Sequence, residues 1–200
     1  INAVDARLTL TESDTGFATS LNAVTRGFIG KLAPWEGVYT TKGSFNAQGH
    51  AIPQSHVARS IWRGEEEVKT FLYDKNGQFK SLEIVEDGRD KTPDDIDTRL
   101  AVNSVDLLSA MLDTMHKTAQ NNKCNGSSYI FDGKRRFQLK FTSLGKEKLT
   151  ANKYSAFSGD ALKCEVEIFP DGGKWHEKPR GWLSIQEQST LMDKDAVLAG

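Results

Sequence analysis

C-N-G-S-S-Y-I-F-D-G-K-R-R-F-Q-L-K-F, residues 124–141, is the stretch that decides how this chain is read. Tyr129 and Ile130 lead into Asp132-Gly133, a dipeptide that supplies the left-handed backbone a tight hairpin turn needs. Beyond the turn, Phe137, Leu139 and Phe141 alternate with Arg136, Gln138 and Lys140. A period of two with one apolar and one polar side is the mark of a half-buried strand. The same rhythm returns in A-L-K-C-E-V-E-I-F-P-D-G-G at 161–173. There Leu162 to Phe169 reads as a strand with Cys164, Val166 and Ile168 on one face, and Pro170-Asp171-Gly172-Gly173 reads as a turn. Lys146 to Tyr154 reads as a further strand between the two.

Working outward toward the N-terminus, Val105 to Ala119 is the one strong helical pattern. Leu108, Met111, Leu112 and Met115 recur at helical spacing and form an apolar stripe that is expected to face a sheet. Ser104 is the expected N-cap, with Asp106 favouring the first turn by its charge. Asp87 to Arg99, with Pro93 and several aspartates, reads as a surface loop with one helical turn at 94–97. Val68 to Tyr73 and Phe79 to Val85 flank Lys75-Asn76-Gly77 and predict a hairpin. Earlier strands are expected over Ala6 to Leu10, Phe17 to Phe28 and Trp35 to Phe45, then from Pro53 onward. The first turn falls near Ser13 to Gly16, and Gly27 and Gly30 permit a bend. Trp182 to Gln188 reads as a last strand. One helix among about ten hairpin-linked strands predicts a mainly β chain whose antiparallel sheet curls around the helix at about 105–119.

At 200 residues the chain fits one domain, 1–200, and buries enough surface to fold without a staple. Lys plus Arg total 26 against 27 Asp plus Glu. That balance excludes the overall basic footprint of a nucleic-acid binder. No run approaches the roughly 18 apolar residues of a spanning helix, and no signal peptide is present. The opening at Ile1, inside an alternating pattern, is what a processed or trimmed chain would show. Two cysteines, 124 and 164, lack metal-finger spacing and leave two readings, a single disulfide or two inert thiols.

A family resemblance rests on V-D-L-L-S-A-M-L at 105–112, Cys124, F-D-G-K-R-R-F at 131–137, Cys164 and P-D-G-G at 170–173. In these pieces the chain resembles the bacterial family catalogued as domain of unknown function 3108. The resemblance implies an exported, periplasmic protein of the diderm cell envelope, usually made with a signal peptide. It implies a curved, spiral or half-barrel-like antiparallel sheet. It implies no catalytic residues, and through the oxidising compartment it favours a Cys124–Cys164 disulfide.

Lys134, Arg135 and Arg136 are the densest basic cluster. Arginine offers a planar donor fork for phosphate, carboxylate or an anionic glycan, while the plainer reading is a solvated hairpin face. Asp132 reads as a turn residue bonding its own backbone. Trp35, Tyr39, Trp62, Phe71, Tyr73 and Phe79 either close a core around the helix or line a groove for an acyl chain, a peptide or a glycan. The four histidines, at 50, 56, 116 and 176, are scattered and show no H-E-x-x-H; no metal is expected. No G-x-S-x-G elbow, P-loop or dinucleotide fingerprint occurs, so no cofactor is expected. The expectation is a non-catalytic module that binds an envelope lipid, glycan or partner protein, with Lys134, Arg135, Arg136, Trp35, Tyr39 and Trp62 as binding candidates. The rival readings are an envelope-polymer hydrolase using acidic or histidine side chains, and a structural protein whose sheet edges pair with a partner.

Overall fold

The computed structural model describes residues 3–13, 16–153, 157–173 and 175. The expected strand at 182–188, His176 and Tyr154 lie outside the described residues, as do Asp14 and Thr15 of the first turn. The described chain is mainly β and its sheets are antiparallel, as expected. It builds two sheets, however, where one was expected. Seven strands, β1 (Val4–Ser13), β2 (Gly16–Thr25), β3 (Trp35–Phe45), β4 (Ala51–Trp62), β5 (Glu65–Tyr73), β6 (Phe79–Glu86) and β7 (Arg89–Asp90), lie side by side in chain order. β8 (Gly126–Phe131), β9 (Arg135–Leu149) and β10 (Gly159–Gly173) form the second sheet with β9 in the middle. The ladder breaks after β7 because the next thirty-odd residues go into a 3-10 turn at Thr98–Ala101 and a helix. Neither sheet closes on itself.

That helix, α2, spans Leu107–Asn121 and packs against β2, β3 and β4 on one side and β8 on the other. Its start corrects the expected one. Val105 is extended and makes a parallel bridge to Ile130, and Asp106 is the N-cap, its side chain accepting from the Ser109 amide at 3.0 Å. Ser104 instead donates its hydroxyl to the Ala101 carbonyl. At the other end Asn122 adopts the left-handed C-cap conformation. Leu108 and Leu112 are buried as expected, while Met115 is exposed. From its middle onward α2 makes polar contacts with β1 and with the turn before β4, His116 to Glu12 at 2.6 Å and Asp113 to His50 at 2.9 Å.

Other local corrections share one cause, an irregularity absorbed without breaking a strand. Pro170 stays within β10, which among the described residues is an edge strand that tolerates a proline, and a bulge follows at Asp171. β9 runs unbroken through Gly145, with a second bulge at Leu144 beside it. Pro53 sits inside β4 opposite Gly43, next to another register shift. Beyond Thr25 the chain does not extend as a strand. Gly27–Leu32 forms a short helix, α1, and the Thr25 hydroxyl closes the excursion by accepting from the Trp35 amide at 2.9 Å and donating to the Ala33 carbonyl at 3.0 Å. The helical turn expected at 94–97 forms at Thr98–Ala101, with Asp97 as its cap.

The hairpin expectations hold. Asp74 accepts from the amides of Asn76 and Gln78 beneath Gly77, which has φ +76°. Asp132 likewise bonds the amides of Lys134 and Arg135. The core has three parts. Phe71, Tyr73, Leu82 and Ile84 of the larger sheet enclose Phe131 and Ala101. Phe137, Leu139, Phe141, Ile130 and Ile168 pack on Ala110 of α2. Phe17 and Ala51 meet Leu112. The β8–β9 turn therefore docks on the larger sheet. Gly133, at φ +94°, lies so close that a Cβ there would sit 2.8 Å from Leu82 Cδ2.

Candidate functional site

The register of the larger sheet assigns one face in rows that run across the strands. Leu10, Thr19, Thr41, His56, Phe71 and Leu82 are successive cross-strand partners and form the row nearest α2. The next row is Leu8, Leu21, Tyr39, Ala58, Lys69 and Ile84; the one after is Ala6, Ala23, Gly37, Ser60, Glu67 and Glu86. Trp35 and Trp62 face each other directly at the far end. Burial is uneven along this direction, since Ile84, Ala23 and Gly37 of the farther rows are buried as well. Thr41 is 0% exposed, but Leu8 is 43%, Trp62 47% and Val4 49% exposed. The helix covers only part of the face.

The covered row holds a polar knot that the sequence reading missed. Thr41 Oγ1 donates to Asp106 Oδ1 at 2.7 Å, so at the 2.8 Å contact with His56 it is the imidazole Nδ1–H that donates. Ser109 donates its hydroxyl to Asp106 Oδ2 at 2.7 Å. Tyr73 lies near enough for the Asp106 charge to matter: burial, then that carboxylate, pushes its phenol upward. A serine-or-threonine, histidine and aspartate set has hydrolytic chemistry in principle. Here Thr41 is fully enclosed and its proton already serves Asp106, so the set caps α2 and joins it to β3 and β4. Nothing in the local sequence signals this, since the partners are 65 residues apart.

Burial holds the His56 imidazole below its ordinary value of 6.5, with Asp106 opposing. The unfolded chain then takes up this proton more readily than the folded one. The stability that depends on neutral His56 is fully present above about pH 6.5 and is lost as pH falls below it. Urea melts are expected to show unfolding free energy declining from pH 7.5 to 5, with that part of the slope removed in His56→Asn. An identical slope in the variant would sink the assignment.

The basic cluster is engaged within the protein. Arg135 pairs with Asp132 at 2.6 Å and lies 5.1 Å from the Trp175 ring centre. Arg136 donates to Asp171 at 2.6 Å and to the carbonyls of Leu100 and Val102, and stacks 4.1 Å from the Tyr129 ring centre. Its guanidinium joins β9, β10 and the segment before α2. Lys134 is more exposed, with Nζ 4.0 Å from Glu67 of β5. Cys124 and Cys164 form the disulfide, with Cα atoms 6.3 Å apart, and tie the end of α2 to β10.

The aromatic candidates divide. Phe71, Tyr73 and Phe79 pack with Phe131, both phenylalanine rings edge-on to it. Trp35, Tyr39 and Trp62 belong to the less covered part of the face. The rings of Trp35 and Tyr39 lie over Gly37, where a Cβ would meet them at 2.6 and 2.7 Å. Burial, then the nearby Glu67 carboxylate, raises the Tyr39 phenol, which therefore stays neutral. A cleft of about 910 Å³ also lies at this end, bordered by Asp5, Arg7, Arg26, Glu36 and Lys153. Its charged strand residues alternate with the apolar ones, and Trp35, Tyr39 and Trp62 do not line it. Val4, and Ala6, Ala23 and Gly37 of the rows above, also line it. Among the described residues no group of three or more His, Cys, Asp or Glu is placed to hold a metal ion, and no helix is long and apolar enough to cross a membrane.

The sequence model of the family described as "Protein of unknown function (DUF3108)" matches residues 1–191. The chain belongs to the DUF3108 family. The match runs through both sheets, so the polar knot, the clamped hairpin and the half-covered face all lie within the DUF3108 region. No curated protein and no solved structure matches this DUF3108 chain.

Proposed function

We propose that this DUF3108 protein is a non-catalytic binding module of the cell envelope that holds an acyl chain on the uncovered half of its larger sheet. One observation carries the reading: beyond Leu8, which borders a small space shared with Leu108, Met111 and Met115 of α2, the face runs on to Val4 and Trp62, which are exposed among the described residues. Ligand sites are mostly apolar with a few polar groups at one side. Here the β1–β4 portion of the rows is aliphatic, aromatic or small, and the β5 portion is Glu65, Glu67 and Lys69, with Lys134 reaching Glu67 from the β8–β9 turn. Such a gradient suits an amphiphile with its chain over β1–β4 and its head toward β5. It suits a glycan less, because Ala6, Leu8, Leu21 and Ala23 offer no hydrogen bonds beside the rings. The disulfide supports an oxidising compartment and hence export to the periplasm.

The test is a titration with lysophospholipid and a fatty acid below their micellar concentrations, read by tryptophan fluorescence and native mass spectrometry. The wild-type chain is expected to bind in the micromolar range. Leu8→Glu with Trp62→Glu, both at exposed positions, is expected to weaken binding by at least about tenfold, because a charge then faces the chain. Absence of binding by the wild type, or equal binding by the double variant, would overturn the proposal. A response to muropeptides alone would move it to a glycan.

A further inference from the structure

α1 is six residues, Gly27–Leu32, and none of them is buried. Phe28 is 66% and Leu32 58% exposed, with Ile29 also open to solvent. Three large apolar side chains largely open to solvent on one short turn cost solubility, which marks an interaction site. The position of α1 is defined by its anchors. The Arg26 amide bonds the Ala3 carbonyl at the start of β1, and the Arg63 amide bonds the Pro34 carbonyl after α1. α1 therefore sits at the end of the sheet where Val4, Trp35 and Trp62 lie, the end that α2 leaves uncovered.

What covers this turn is narrowed by size and charge. A stable contact between two proteins needs about 800 Å² from each partner, more than one six-residue turn presents. A lipid surface has no such threshold, because each apolar side chain enters it independently. Segment 26–33 contains Arg26 and Lys31 and no acidic residue. Close by, Asp5 pairs with Arg26 at 2.7 Å, Glu65 lies opposite Trp62, and Arg63 stacks on the Trp62 ring at 5.7 Å. Lys31 on α1 and Arg63 in the neighbouring turn place positive charge beside the apolar side chains, which complements anionic headgroups. Tryptophan beside them is the residue that favours the headgroup level of a bilayer.

We propose that the α1 end docks on the surface of an anionic phospholipid bilayer, with Phe28, Ile29 and Leu32 entering the interface and Lys31 meeting the headgroups. The inference rests on the acyl-chain reading and adds its source: the uncovered face opens at the end that touches the membrane, so a chain can pass between bilayer and sheet without crossing water.

The experiment is flotation of the protein with vesicles of phosphatidylethanolamine and phosphatidylglycerol, compared with phosphatidylcholine vesicles and with raised salt. Wild type is expected to float with the anionic vesicles, less at high salt. Phe28→Ser with Leu32→Ser is expected to lower partitioning by at least about tenfold. Lys31→Gln is expected to lower it about fivefold on anionic vesicles only. Because Phe28 and Leu32 are more than half exposed, circular dichroism and the melting temperature are expected to change little. Failure of wild type to float, or equal flotation of the double variant, overturns the docking. A wild-type dimer in light scattering that the double variant returns to monomer also overturns it, by assigning α1 to a self-contact. Lysophospholipid binding without vesicles, expected to be unchanged in the double variant, separates the two readings. Flotation without that binding overturns the acyl-chain reading while supporting the docking; that binding without flotation overturns the docking alone.

Discussion

Asp106→Ala is expected to lower the unfolding free energy by about 4 kcal/mol, among the largest effects of any single substitution in the described chain. The carboxylate does three things at once. It caps α2 through the Ser109 amide, which is worth about 1 kcal/mol. It accepts the hydroxyl protons of Thr41 and Ser109, both enclosed, and stranding each costs on the order of 1–3 kcal/mol. Urea denaturation measures the loss as a lower midpoint at unchanged slope. Thr41→Val in the Asp106→Ala background should cost less than it does alone, since the hydroxyl it removes has already lost its acceptor. A double-mutant coupling of at least about 1 kcal/mol is expected. A loss below about 1 kcal/mol for Asp106→Ala would mean that the knot does not hold helix and sheet together.

Opening the Cys124–Cys164 bridge is expected to cost nearly as much. The two cysteines are 40 positions apart, and loop-closure entropy for a loop of that length gives about 4 kcal/mol. In a chain of this size that corresponds to a melting temperature lower by about 10 °C. Thermal unfolding with and without reductant, and of Cys124→Ser with Cys164→Ser, should give the same drop. A melting temperature indifferent to reductant would show that the bridge constrains a segment already ordered in the unfolded chain. In the folded chain the Asn125 side chain, which accepts from the Ser143 amide at 2.7 Å, fastens the same junction as the bridge.

Much of the β structure is legible in the sequence because it is set by neighbours. Asn76-Gly77 and Asp132-Gly133 mark their turns, and the alternation of Phe137, Leu139 and Phe141 identifies a buried face. The split into two sheets is not legible, since no local pattern says whether β8 adds to β7 or starts afresh. Ser104 and Asp106 are both good caps two positions apart; only the bridge from Val105 to Ile130, set by tertiary pairing, decides between them. The strand expected over Phe17 to Phe28 stops at Thr25, and G-F-I-G-K-L, where only a bend was expected, forms a turn of helix because Thr25 binds both sides of the excursion. For the candidate site, the aromatics were found but not their division into core and open face. The arginines of 131–137 were conspicuous, but the groups that engage them, Asp171 and the Leu100 and Val102 carbonyls, lie some 35 positions away and are invisible to a local reading.

The order of the seven strands has a kinetic meaning. Each strand pairs with the one just before it in the chain, so every closure in that sheet spans a short loop and the contact order is low. The sheet can grow by adding one hairpin at a time, each new strand finding a template already in place. The distant meetings, Asp106 with Thr41 and Gly133 with Leu82, come only after that template exists. Slow steps of folding are thereby confined to the seating of α2 and the second sheet. Until they seat, the row from Leu10 to Leu82 is bare, and this is the interval in which the nascent protein is most exposed to aggregation.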